Sequence, residues 1–570
     1  MSRERRRPTV HTGRGDGAPM SNGANKVLAQ ATDALKGLST KAVAVWQRDI
    51  EQGVLRPVVR SVTETTHAIR RAGPEVERAG AGLWMTEGRW AGIDDATRAT
   101  QSLSGDGGRP HYLGPVLPED RPITADERRL AGESIDKLKE LFGPRANPGS
   151  LASRVDPDEV VAAARARAAR NARWWHALTD DQRAAMVRVR PHLIGNTDGV
   201  PYAVRDRANR LSITRDLEWY LYRRQSGDRR DSRLSDEENA HLSNIVSTRD
   251  HLETIEDRAR ALGASNVQLM AYNPRAYAGN GRVAVSIGNA DDAEIVTRQV
   301  GGFGTTLRSL EYRSDLITNE WEMTTRYAGH NRIASIVDIG YHHPTALVPL
   351  EPAKPIFAEV GGYVISRDVT SFNATREAWA HLDDSVAPPQ LRNLVGHSYG
   401  STAVCYAGAE ARLAGEIDQI SLSGSPGAGP LNNAADFGIG RENVYVFSSC
   451  RDPISALGAE TPAGQGRFLG TGLGIDPANA HFQAVRVAAE PPVTKEFASK
   501  MRVHQGYNAF ADPQTREPTE ALHNMALVNS GRAGEVMRVE HRPAVETPAL
   551  RHRIGTPLVD PEQARIAGNA

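Results

Sequence analysis

Two cysteines in 570 residues, Cys405 and Cys450, are too few for a disulfide framework or a cysteine-rich zinc site, and they leave the redox compartment open. Net charge is also missing. Sixty-nine basic residues balance 69 acidic ones, so no global field draws the chain to nucleic acid or to an anionic membrane, and a nucleic-acid partner is not expected. No run of about 18 apolar residues occurs, which excludes a bilayer-spanning helix. The first residues carry Arg3, Arg5, Arg6 and Arg7, but no apolar stretch follows them to form the core of a signal peptide. These absences predict a soluble protein without a transmembrane segment, placed in the cytoplasm. A weak Trp90-x-Gly92 turn, similar to that of helical hairpins exported by specialised secretion, keeps non-classical export as the alternative.

The length exceeds what one core of roughly 250 to 300 residues can fill, so two folded regions with tails are expected. Residues 1–24, rich in Gly, Arg and Pro, bury too little to offset their ordering entropy and read as a disordered basic tail; residues 542–570 read likewise. From 25 to 263 the pattern is helical. Asp156 before Pro157 is a start signal, Thr179 with Gln182 and Ser235 with Glu238 form capping boxes, and Gly263 ends an amphipathic run through Leu242, Ile245, Leu252 and Ile255. From 264 to 541 the texture is α/β. Eight short apolar runs, Val267–Tyr272, Arg282–Ile287, Ala293–Val300, Arg332–Ile339, Leu391–Val395, Ile417–Ser423, Val444–Ser448 and Ala484–Val487, predict strands of a mostly parallel sheet flanked by helices.

Gly396-His397-Ser398-Tyr399-Gly400 stands between the fifth run and an Ala-rich helix, the setting a nucleophile elbow needs. The turn is so sharp that side chains at 396 and 400 would collide, hence two glycines. A serine hydroxyl is nearly inert until a base takes its proton, so the elbow predicts an acid and a histidine further on, in that order. Asp452 follows the strand at Val444 and is blocked from strand continuation by Pro453; Asp436 and Asp476 are its rivals. His504 follows the last strand, whereas His481 precedes it and His523 sits in an apolar helical run. For the oxyanion hole, the N–H of Tyr399 and that of Phe303, in the loop Gly301-Gly302-Phe303-Gly304-Thr305, are the expected donors. This loop is neither G-x-G-x-x-G nor a P-loop, and His342 and His343 lack a third ligand, so no cofactor and no metal are expected.

Trp174-Trp175-x-x-Leu178, Ile194-Gly195-Asn196-Thr-Asp198-Gly199-Val-Pro201, Arg205-Asp206-x-Ala208-Asn209-Arg210, Gly304-Thr305-Thr306, the elbow, Gly424-Ser-Pro-Gly427, Arg451-Asp452-Pro453 and His504-x-x-Tyr507 occur in order over about 172 to 531. Together they resemble an uncharacterised family of actinobacterial and actinophage α/β-hydrolases. The resemblance implies an α/β-hydrolase fold behind an N-terminal all-α region, with Ser398, Asp452 and His504 as triad. Two departures stand out: Gly301 replaces a usual proline, and residues 489–502 look like an insertion. The expected activity is hydrolysis of a carboxyl ester, esterase- or lipase-like, with an ester substrate whose acyl chain the sequence does not specify. The alternative is a catalytically idle module that binds a partner. The 196–210 segment reads as an ion-pair network between helices or as a clamp shaping a lid, and residues 341–362 as a second lid candidate.

Overall fold

The computed structural model describes residues 122–146, 159–225, 234–264, 266–330, 332–344, 355–458, 473–495, 497–543 and 560–568. The expected basic tail, the Asp156 start signal and the Trp90 turn lie outside them.

Among the described residues six helices precede the sheet: α1 (Ala125–Phe142), α2 (Val160–His176), α3 (Asp180–Val189), α4 (Pro191–Gly195), α5 (Tyr202–Gln225) and α6 (Asp236–Ala261). The expected boxes form. The hydroxyls of Thr179 and Ser235 accept from the N–H groups of Gln182 and Glu238, whose side chains bond back, satisfying donors a helix start leaves open. Gly263, at φ 82°, takes the left-handed conformation after α6.

The sheet contains β1 (Val267–Asn273), β2 (Arg282–Ile287), β3 (Ile295–Val300), β4 (Ile333–Ile339), β5 (Leu391–His397), β6 (Gln419–Ser423), β7 (Val444–Phe447) and β8 (Val485–Val487), each within two residues of its expected bounds. Their order is β1-β2-β4-β3-β5-β6-β7-β8, with β2 antiparallel to both neighbours and the rest parallel. The covering helices are α7 (Leu310–Ala328), α8 (Ile356–Leu382), α9 (Tyr399–Gly408), α10 (Lys500–Gln505), α11 (Glu520–Asn529) and α12 (Glu562–Gly568). Alternation along the strands sorts side chains between two faces. Leu394 packs with α8 and α9, while its neighbour Val395 packs with α11. Among the described residues no helix is long and apolar enough to cross a membrane.

The helical region is fastened to the sheet through the outer edge of β1. An unpaired edge exposes backbone donors and acceptors that invite foreign strands. Here side chains occupy them: Asn196 accepts from Tyr272 N (3.1 Å) and donates to Tyr272 O (2.9 Å), Asp206 accepts from Leu269 N (2.7 Å), Asn209 donates to Leu269 O (2.9 Å) and Arg210 to Val267 O (3.2 Å). The 196–210 segment is therefore chiefly a docking clamp, with ion pairs from Asp198 to Arg167 and Arg205 beside it. Of the second lid candidate, 356–362 is the first turns of α8 rather than a loop, and 345–354 lies outside the described residues.

One expectation is corrected. Part of the supposed C-terminal tail is folded: Arg542 is fully buried, with its guanidinium on Asp476 (2.9 Å) and Asp560 (2.7 Å), and α12 is tied to α11 by Arg565 and Glu520 (2.8 Å). Composition suggested solvation, but paired charges can be buried where single ones cannot.

Candidate active site

Ser398 sits between β5 and α9 at φ 57° and ψ −132°, a region that costs a non-glycine residue about 1–3 kcal/mol. The neighbours hold it there. Ser398 N donates to Ser423 O on β6 (2.9 Å), and Ser398 O accepts from Ser401 N (2.9 Å) and from the Ser401 hydroxyl (2.6 Å). The flanking glycines are obligatory: a Cβ at 396 would lie 2.5 Å from Ser401 Cα, and one at 400 would lie 2.4 Å from Gly301 O. The Ser398 hydroxyl itself makes no hydrogen bond among the described residues.

Asp452 follows β7 and is buried. Its carboxylate receives His504 Nδ1 at 2.9 and 3.1 Å, Tyr507 OH at 2.8 Å, Ile454 N at 2.8 Å and the Ser455 hydroxyl at 3.2 Å. Burial pushes this carboxyl up, but His504 and the converging hydrogen bonds outweigh it and leave the group down at about 2. It is ionised at neutral pH. His504 lies in the last turn of α10, a short helix whose start is capped by Ser499 accepting from Arg502 N (3.2 Å). With Nδ1 spent on Asp452, the other ring nitrogen is left to act as base. Gly424, at φ 56°, passes directly beneath the pair: a Cβ there would meet Asp452 Oδ2 at 2.9 Å and His504 Nδ1 at 3.0 Å. Because Ser398 N bonds the residue just before Gly424, the elbow and the Asp–His pair are held one residue apart along β6.

The loop after β3 also reaches the serine. A Cβ at Gly302 would lie 2.7 Å from Ser398 Cβ and 3.1 Å from Tyr399 N, so only glycine allows this approach. Gly304 N donates to Pro344 O (2.9 Å) and Thr305 N to Gly302 O (3.3 Å), which fixes the loop with Gly302 and Phe303 beside the elbow.

The rivals have other work. Asp436 is exposed and caps a 3₁₀ turn through Asn432 N (2.9 Å), and Asp476 is paired with Arg542. His481 is exposed, and His523 bonds the Tyr327 hydroxyl (2.5 Å) on an exposed face of α11. His397 packs against the candidate base, ring centroids 4.9 Å apart, and its Nε2 donates to the His504 carbonyl (2.8 Å). Among the described residues no group of three His, Cys, Asp or Glu is placed to hold a metal.

Two contributors escaped the sequence reading. Tyr507 OH accepts from Ser449 N (3.1 Å) while donating to Asp452, so it ties the acid to its own loop. Glu490, in the supposed insertion, accepts from the Ser449 hydroxyl (2.6 Å) and from Cys450 N. Only the His504-x-x-Tyr507 spacing pointed to the first. Replacing Tyr507 with phenylalanine should lower stability by about 1–3 kcal/mol, because Ser449 N–H and one Asp452 lone pair lose their partner in a buried place. An unchanged denaturant midpoint would show that the bond contributes nothing.

Strand order, elbow and flanking helices define an α/β-hydrolase fold. Residues 277–462 match the family model described as Alpha/beta hydrolase, a stretch that includes Ser398 and Asp452 and stops before His504. Two curated relatives, uncharacterized proteins from two strains of Mycobacterium tuberculosis, are each 31% identical over 434 residues, which is 70% of this chain and 62% of theirs. The chain thus spans less than two thirds of their length, and their names assign no substrate. No solved structure is a significant match.

Proposed function

We propose that the protein is a serine hydrolase acting on carboxyl esters through Ser398, His504 and Asp452. The observation that carries this reading is the strained, externally uncommitted Ser398 hydroxyl beside a buried Asp452–His504 pair. His504 takes the proton of Ser398, the oxygen attacks the ester carbonyl, and the oxyanion is met by the N–H groups of Tyr399 and Phe303. The protonated imidazole then gives its proton to the departing alcohol, and water, activated by the same base, releases the acyl group as acid. Asp452, ionised throughout, holds the imidazole by Nδ1 and stabilises its charge. Ser398 and His504 share no hydrogen bond in this structure, so proton transfer requires the two side chains to close on one another. Ester is preferred to amide by analogy with the uses of this fold.

A fluorophosphonate should label the wild type and not Ser398→Ala. For the base, His504→Ala should abolish turnover of a short-chain ester, whereas His523→Ala, altering an exposed helix face, should leave it within a few-fold. Loss confined to the second variant would overturn the assignment of the base, and an unlabelled wild type would favour the idle, partner-binding module.

A further inference from the structure

Beside the elbow lies a cation with no counter-charge among the described residues. Arg313, in the first turn of α7, extends along the oxyanion loop, where Nη2 donates to the Thr305 hydroxyl (3.0 Å) and Nη1 lies 3.4 Å from His397 Nδ1. Because His397 spends Nε2–H on the His504 carbonyl, its Nδ1 is an acceptor and its ring is neutral. Burial, with His504 and Arg313 beside it, keeps this imidazole well below its usual range. Both partners of Arg313 are thus uncharged, and two of its five N–H groups are used. Among the described residues it forms no ion pair, whereas Arg282, partly buried like it, and the more deeply buried Arg167, Arg205, Arg298, Arg486 and Arg542 each have an aspartate, and the buried Arg376, which has none, is met by three backbone carbonyls.

The surroundings supply no negative charge. His343 is buried against the same loop, its imidazole held well below its usual range by burial and its ring tilted on that of Tyr341 with centroids 3.8 Å apart; the Tyr341 hydroxyl donates to Gly301 O (3.2 Å). Neither of its ring nitrogens has a hydrogen-bond partner of acceptable geometry, though the Gly301 and Tyr341 backbones are close. At the rim, exposed Tyr312 stands near both Arg313 and Arg502, and Arg502 also lacks an ion pair among the described residues. Apart from Asp452, which His504 engages, no carboxylate is in this group.

Guanidinium is the side chain best matched to a carboxylate or phosphate, because its planar donors can meet two oxygens at once. We propose that Arg313 is a substrate-binding residue that anchors an anionic group, carboxylate or phosphate, carried by the ester. The proposal rests on the hydrolase reading above and narrows it to negatively charged esters. An anion bound there would supply the charge that the fold withholds, and would hold the ester next to the Tyr399 and Phe303 donors.

The test compares charged and neutral esters, with the same leaving group on the acyl side and the same acyl group on the alcohol side. On the acyl side, para-nitrophenyl hemisuccinate is set against para-nitrophenyl butyrate; on the alcohol side, para-acetoxybenzoate against its methyl ester. In at least one pair the wild type should favour the charged ester in kcat/KM, and Arg313→Gln should reduce that preference about 10- to 100-fold, the value of a charge-assisted bond. The preference is read as a ratio, so a general loss of activity in the variant does not obscure it. Arg313→Lys should retain a preference, since the charge remains, and the wild-type preference should shrink as salt rises. A ratio unchanged by Arg313→Gln in both pairs, or a wild type that favours neutral esters in both, would overturn the proposal while leaving fluorophosphonate labelling intact. Absence of labelling together with absence of turnover would instead remove the hydrolase reading, and this proposal with it.

Discussion

Replacing Ser398 with alanine should lower ester turnover on the order of 10⁶-fold, because loss of the nucleophile leaves only binding and oxyanion stabilisation. The fold should tolerate the change, since the Ser398 hydroxyl has no hydrogen bond to lose and alanine keeps the backbone interactions with Ser423 and Ser401. Stability distinguishes this from an ordinary buried-residue substitution. At φ 57° and ψ −132° any Cβ is strained, so Ser398→Gly should be more stable than Ser398→Ala by about 1–3 kcal/mol, yet equally inactive. The measurement pairs kcat/KM on an activated ester with a urea midpoint for the wild type and both variants. Activity retained in either variant above about one-thousandth of wild type would exclude Ser398 as nucleophile, since loss of a triad serine costs about a million-fold. A Ser398→Gly variant less stable than the alanine form would show that the bend is not under strain.

The elbow was legible because its information is local. Gly396 and Gly400 are required by atoms within five residues or by the adjacent strand, and the run from Leu391 to Cys405 reports strand, turn and helix together. Strands of β-branched residues separated by helical stretches gave the sheet for the same reason. Asp452 and His504 were singled out by order along the chain, each following a strand end, and the structure brings their side chains together at 2.9 Å. What could not be read depends on partners far apart. Asn196, Asp206 and Asn209 were visibly rich in hydrogen-bonding groups, but nothing in their spacing says that the groups they satisfy belong to the backbone of β1 some sixty or more residues later. Tyr507 could as well have been a packing residue. Arg313 carries no mark in the sequence, because the absence of a counter-charge is a property of the assembled site. Averaging over residues 542–570 hid the two that matter most, Arg542 and Asp560, in a polar background.

Arg542→Met should destabilise the protein by about 3–5 kcal/mol, the usual consequence of removing one partner from a buried charge pair. Its guanidinium joins Asp560 (2.7 Å) and Asp476 (2.9 Å) to the carbonyls of Ser449 and Ser455 (each 3.3 Å), which flank Asp452. Methionine can fill the space of the stem but leaves two aspartates and two carbonyls short of a donor. Arg486 partly compensates by holding both oxygens of Asp560 at 2.9 and 2.7 Å. Burial pushes the Asp560 carboxyl up, but the two arginines outweigh it and hold it below its ordinary value. A carboxyl depressed in the folded state stabilises fully above its unfolded pKa, near about 4, and loses that contribution as pH falls through the folded value. The wild type should therefore lose stability on acidification below about pH 4 more steeply than Arg542→Met, in which the depression is weaker. Adding Asp560→Leu to Arg542→Met would leave Arg486 unpaired, so the double variant should be no more stable than the single one. Recovery in the double variant would mean that Asp560 is held by packing around α12 rather than by the two guanidiniums, and that the C-terminal segment does not brace the loop carrying Asp452.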